Sequence, residues 1–121
     1  MIKANELRLG NYIQHQPYPD ERWLVDMRLL ESIDLELVEC IGIPLTPEIL
    51  EKCGFIKNNF KYWEKETKSN ENDLDLEEVN GKFIPVINNE YSVGIEIKYL
   101  HQLQNKYFDW YGEELEINLN D

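Results

Sequence analysis

Glu96-Ile97-Lys98, with Glu90 upstream, sets an acid-x-lysine step and a second carboxylate along an extended segment, the arrangement a metal-dependent nuclease uses to hold a divalent cation. Any acidic chain rich in Glu and Lys contains that step by composition, and an excess of carboxylates opposes a phosphate-bearing substrate. Asp73, Asp75 and Glu77 alternate as the first ligands of a calcium loop do, but the sixth position is Glu78 instead of Gly and the twelfth is Ile84 instead of Glu. An EF-hand is thereby excluded, and the alternation fits a strand that turns its carboxylates outward. Cys40, Cys53, His15 and His101 are zinc-type ligands by kind, yet nothing in their spacing asks for a metal. Gly-rich phosphate loops, Walker sequences and nucleophile elbows are missing, the two histidines are far apart, and no serine stands in a nucleophile context. The sequence therefore assigns no catalytic residue, no metal and no cofactor, and leads to the expectation of a non-enzyme.

The elements that must position these residues follow from periodicity. Residues 97 to 111 predict a helix with Tyr99, Leu100, Leu103, Tyr107, Phe108, Trp110 and Tyr111 on one side and Gln102, Asn105, Lys106 and Asp109 on the other. The aromatics then belong to a core, and His101 falls at the edge of the stripe as a boundary histidine making one hydrogen bond. Gly112 stops the helix, and Leu115, Ile117 and Leu119 alternate with Glu114, Glu116 and Asn118 as a last strand with an acidic outer face. Thr46, Pro47 and Glu48 are an N-cap, a first helical position and an acid at the helix start, and Gly54 closes a short helix over residues 47 to 53. Phe55, Ile56, Phe60, Tyr62 and Trp63 flank a turn at Asn58 and Asn59, and Asn80-Gly81 and Asn88-Asn89 signal further hairpins. Upstream, a turn at Gly10 and Asn11 leads into a strand from Tyr12. The segment "QPYPDE" reads as a loop because Pro17 and Pro19 bar regular pairing, and Ile33, Leu35 and Leu37 alternate with Asp34 and Glu36 as a strand. Residues 64 to 73 carry no apolar side chain and read as a solvated loop. The fold class expected is α+β: a bent antiparallel sheet with one short and one longer helix packed on it.

A chain of 121 residues with 42% hydrophobic content fits a single domain, residues 1 to 121. No stretch approaches the roughly 18 apolar residues of a membrane span, and the first residues lack a secretory apolar region, so a cytoplasmic protein is expected. Cys40 and Cys53 sit beside apolar residues and read as reduced core thiols. Twenty-four acidic residues against twelve basic ones give a formal charge of -12, which repels nucleic acid and anionic lipid. Six acids and no Lys or Arg lie between Arg28 and Lys52, and five acids and no basic residue follow Lys106.

Three stretches, "LRLGNYI", "GIPLTPEILEKCGF" and "YLHQLQNKYF" running on to "GEELEI", resemble a family of small uncharacterised proteins of Bacteroidota genomes and their phages and prophages. The resemblance covers most of the chain, with residues 64 to 92 the least familiar part. One departure is the pair Trp110 and Tyr111, where the family commonly carries a small residue and Thr. The resemblance implies a mobile or phage-linked accessory role, a setting in which small acidic proteins inhibit host defence, anti-CRISPR proteins among them. The leading expectation is thus a binding protein whose carboxylates (Asp34, Glu36, Glu71, Asp73, Asp75, Glu77, Glu78, Glu114 and Glu116) meet a protein partner with a basic surface, such as a nuclease or CRISPR effector. The alternatives are a structural or assembly adaptor binding through partly exposed Trp63, Trp110 and Tyr111, and the metal-dependent enzyme built on Glu90, Glu96 and Lys98.

Overall fold

The computed structural model describes residues 2–15, 18–58, 60–65, 73–87 and 91–119. It is an α+β protein with two antiparallel sheets and three α-helices among the described residues. Contacts divide it into two compact units: residues 1–44 with 99–105, and residues 45–98 with 106–121. The division runs through the longest helix.

In the first unit a 3-10 turn, Ala4–Glu6, precedes β1 (Tyr12–His15), β2 (Tyr18–Leu24), α1 (Met27–Asp34) and β3 (Cys40–Gly42). The sheet order is β2-β1-β3. Ile13, Val25, Ile33 and Cys40 are buried together with Ile2, and Leu29, Leu30 and Val38 pack against them. Gly10, with φ of 92°, makes the turn expected before β1. The presumed proline loop is partly strand: β2 starts at Tyr18 and includes Pro19. It can do so because β2 lies at the sheet edge and the register slips at His15, leaving residues 19–21 without partners in β1.

Residues 27–34 are a helix, which takes in Ile33 and Asp34 from the 33–37 alternation that suggests a strand. Asp26 accepts a hydrogen bond from Leu29 N at 2.8 Å, a side-chain cap, and Leu29, Leu30 and Ile33 share the inward face at helical spacing. The helix ends in a Schellman motif, with Leu37 N bonded to Ser32 O at 2.9 Å and Glu36 N to Ile33 O at 3.0 Å. Glu36 takes the left-handed position, φ 60°, that glycine ordinarily fills. Leu35 and Leu37 consequently face solvent.

The second unit holds α2 (Pro47–Lys52), β4 (Ile56–Lys57), β5 (Tyr62–Glu64), β6 (Leu74–Val79), β7 (Lys82–Ile87) and β8 (Tyr91–Ser92), the strands pairing in chain order. Thr46 Oγ1 accepts from Ile49 N at 3.2 Å, and Gly54 closes α2 at φ 87° with Phe55 N on Leu50 O. Asn58 Oδ1 accepts from Phe60 N and Tyr62 N, which builds the β4–β5 hairpin. Asn80 and Gly81, φ 53° and 79°, form the two-residue turn between β6 and β7. The Asn88-Asn89 signal lies outside the described residues, as does the centre of the 64–73 loop. Residues 113–118, expected as a last strand, run outside both sheets.

The longest helix, α3 (Leu100–Tyr111), starts three residues later than its predicted start at 97 and is rotated from its predicted facing. Its buried positions are Leu100, His101, Leu103, Gln104 and Tyr107, while Tyr99 and Phe108 are exposed. Gln104 is inside because both ends of its amide are bonded: Oε1 accepts from Tyr12 N at 2.8 Å and Nε2 donates to Gly10 O at 3.0 Å. Asn105 accepts from Asn11 Nδ2 and Arg8 Nε and donates to Glu6 O, fixing the N-terminal segment.

Candidate binding surfaces

The acidic residues divide into three classes. In the first unit Asp34 and Glu36 are exposed at the end of α1, and Glu31 and Glu39 beside them are also exposed. Among the described residues none of these four carboxylates enters an ion pair. In the second unit Glu77 and Glu78 are only half exposed and are already partnered: Glu77 with Lys61 at 3.1 Å, and Glu78 with Lys57 at 3.3 Å. Glu78 Oε1 also accepts from Trp63 Nε1 at 2.9 Å. Asp73 is half-buried, Glu114 and Glu116 are exposed beyond α3, and Glu71 lies outside the described residues.

Asp75 corrects the expectation of outward carboxylates along β6. It is buried between Leu74 and Leu76, which are buried too, so both faces of the strand are covered at this end. Burial first, and then the neighbouring charges of Glu64 and Asp73, push its carboxyl up to about 7. A group so placed is a poor electrostatic contact for a basic partner.

The aromatic set separates in the same way. Trp63, expected to be partly exposed, is 4% exposed and forms part of the second unit's interior. Trp110 and Tyr111 are half-buried, Tyr111 Oη accepts from Leu74 N at 2.8 Å, and the Tyr107 and Tyr111 rings lie 4.6 Å apart. Tyr111 is thus held by its own fold.

Cys40 and Cys53 are buried free thiols, and burial pushes Cys53 up to about 12 against a small opposing effect of Lys65. His15 stacks on Trp23 at 4.4 Å. Among the described residues no group of three or more His, Cys, Asp or Glu side chains converges as metal ligands would. Glu96 is half-buried and Lys98 exposed on either side of Ile97, and Glu90 lies outside the described residues.

His101 is not at a boundary. It is 2% exposed, stacks on Tyr99 at 5.8 Å, and its Nδ1 has no hydrogen-bond partner among the described residues. A cavity of about 190 Å³ adjoins it, lined by Ile2, Glu6, Ile41, Gly42 and Tyr99. Gly42 is required there, since a Cβ would stand 2.5 Å from the Tyr99 ring. Burial depresses the imidazole below its usual 6.5, opposed by the Glu6 carboxylate. On acidification the unfolded chain therefore takes up this proton first, so the histidine's contribution is present above pH 6.5 and lost below it. An NMR titration of the imidazole C–H resonances is expected to give a midpoint below 6.5; a higher midpoint would show that Glu6 outweighs burial.

Two open grooves flank the 3-10 turn where it meets α1. One, of about 730 Å³, is lined by Ala4, Met27, Leu30, Glu31 and Asp34; the other, of about 590 Å³, by Ile2, Ala4, Ile33, Asp34 and Val38. Sequence reasoning missed this surface, because it depended on reading residues 27–34 as a helix. The signal was present in Asp26 followed by Leu29, Leu30 and Ile33. No described helix is long and apolar enough to cross a membrane. Compared with protein-family models, curated proteins and solved structures, the chain matches none of them.

Proposed function

We propose that this chain is a non-enzymatic binding protein that engages a basic protein surface, and that it acts as an inhibitor of a nucleic-acid-handling defence effector. The observation that carries this reading is the contrast in charge pairing: Glu77 and Glu78 are held by lysines of their own unit, whereas Glu31, Asp34, Glu36 and Glu39 stand exposed with no ion pair among the described residues. A formal charge of -12 draws a channel lined with Lys and Arg from long range and competes with its nucleic acid. A cytoplasmic, phage-linked setting accords with the resemblance drawn above. The burial of Trp63 weakens the aromatic adaptor reading.

Affinity capture of proteins from a related host, at low and at high salt, tests the proposal. Recovery of a basic nuclease or effector is expected, with affinity falling by about tenfold between roughly 50 and 500 mM salt as screening shortens the reach of the charges. Asp34→Lys with Glu36→Lys should weaken capture further than Glu77→Gln, whose carboxylate is already spoken for. Salt-independent capture would refute an electrostatic interface.

A further inference from the structure

We infer that the two grooves flanking the 3-10 turn form one docking surface for a basic amphipathic helix of the partner protein. This rests on the proposed reading that the partner is basic, and adds which surface meets it and in what form. The two grooves share Ala4, Asn5 and Asp34, so they are continuous around the turn. The larger groove is mainly apolar, with Ala4 and Leu30 and with Met27 standing 69% exposed at one end; the smaller is about half polar, with Ile2, Ala4, Ile33 and Val38 as its apolar part. Leu35 and Leu37, just past the end of α1, are 59% and 72% exposed but line neither groove. Met27 is thus a large apolar side chain left in water at the groove itself, and methionine adapts its shape to an incoming side chain.

The rim decides the chemistry of the occupant. Glu31, Asp34, Glu36 and Glu39 border the grooves, against Lys3 and Arg28. Met27, Leu30, Glu31 and Asp34 are spaced i, i+3, i+4, i+7 on α1, so apolar and acidic positions form a single seam. A partner segment answering it needs apolar anchors at the same spacing, flanked by Lys or Arg. The walls decide its form. In the larger groove both are helical, with backbone groups bonded within the turn and α1, so they offer no strand edge; the smaller groove is bordered as well by Lys3, Glu36, Val38 and Glu39, which lie outside both helices. The occupant must satisfy its own backbone, which a helix does. A second copy of the chain is a poor occupant, since it brings like charge and its Lys57 and Lys61 are already paired.

The test uses the full chain and labelled peptides of about 18 residues, long enough to form helix, composed of Leu and Lys with Leu at i, i+3, i+4 and i+7. Controls are a scramble of the same composition and the same pattern with Glu for Lys. Fluorescence anisotropy is expected to show the patterned Leu–Lys peptide binding about tenfold tighter than its scramble, and M27S and E31K each to reduce that affinity by about fivefold to tenfold. Both sites are exposed, so the fold is expected to persist by circular dichroism. Equal binding of patterned and scrambled peptides, tighter binding of the Glu peptide, or affinity unmoved by M27S overturns the inference, as does a dimer in sedimentation that M27S dissolves. Salt-sensitive capture of a basic protein without patterned-peptide binding leaves the functional reading standing and removes the groove. Patterned-peptide binding lost in M27S, with no basic protein captured, does the reverse.

Discussion

Replacing Asp75 with Asn is expected to raise stability by about 2 kcal/mol at pH 8, and to change it little near pH 4. Asp75 is 5% exposed in β6, and burial, then Glu64 and Asp73, push its carboxyl from 3.8 to about 7. In the unfolded chain it ionises near 3.8; in the folded chain it holds its proton until about 7. Between those values the folded state binds more protons, so its favourable contribution is present below 3.8 and is lost as pH rises through 7. Asn keeps the shape and never pays for ionisation, so the gap between variant and wild type opens across that window. Thermal melts at pH 4, 6 and 8 check it, with a rise of about 5 °C expected at the highest pH. A gain equal at every pH would mean that Asp75 ionises as an ordinary carboxylate, and the interior position would then be wrong.

Trp63→Ala is expected to cost about 3–5 kcal/mol, read from denaturant unfolding, because the indole is a large buried side chain whose removal leaves a cavity. Trp63→Phe should cost less. It keeps most of the apolar contact and gives up the bond from Nε1 to Glu78, a loss of about 1–2 kcal/mol. The pair separates a structural tryptophan from a binding one: a contact residue would lower partner affinity with stability nearly intact, and that result would restore the adaptor reading.

Both predictions concern residues whose surroundings the sequence misjudged, and the reason is the same. Along β6, Leu74 and Leu76 alternate with Asp75 and Glu77, which correctly indicates a strand; alternation alone carries no information on whether the second face is covered. In α3 the apolar stripe was drawn through Tyr99 and Phe108, yet the buried face runs through His101 and Gln104. Gln104 is admitted because Tyr12 N and Gly10 O, more than ninety positions away, meet both ends of its amide. No local pattern contains those partners.

Local punctuation was legible where one residue type meets one backbone need. Thr46 and Pro47 begin α2 and Gly54 ends it, Asn80-Gly81 turns β6 into β7, and Gly10 precedes β1. Each rests on capping geometry or on a left-handed φ, which depend on a few adjacent residues. The end of α1 uses the same Schellman geometry as α2 with Glu36 in glycine's place, and so carried no such mark. The sequence by itself determined the α+β class, the charge and the turns that glycine, asparagine and proline dictate. Tertiary structure alone decided which carboxylates are buried, paired or open, and that the helix at residues 27–34 lies beside the grooves. Those outcomes turn on surfaces brought together from distant parts of the chain.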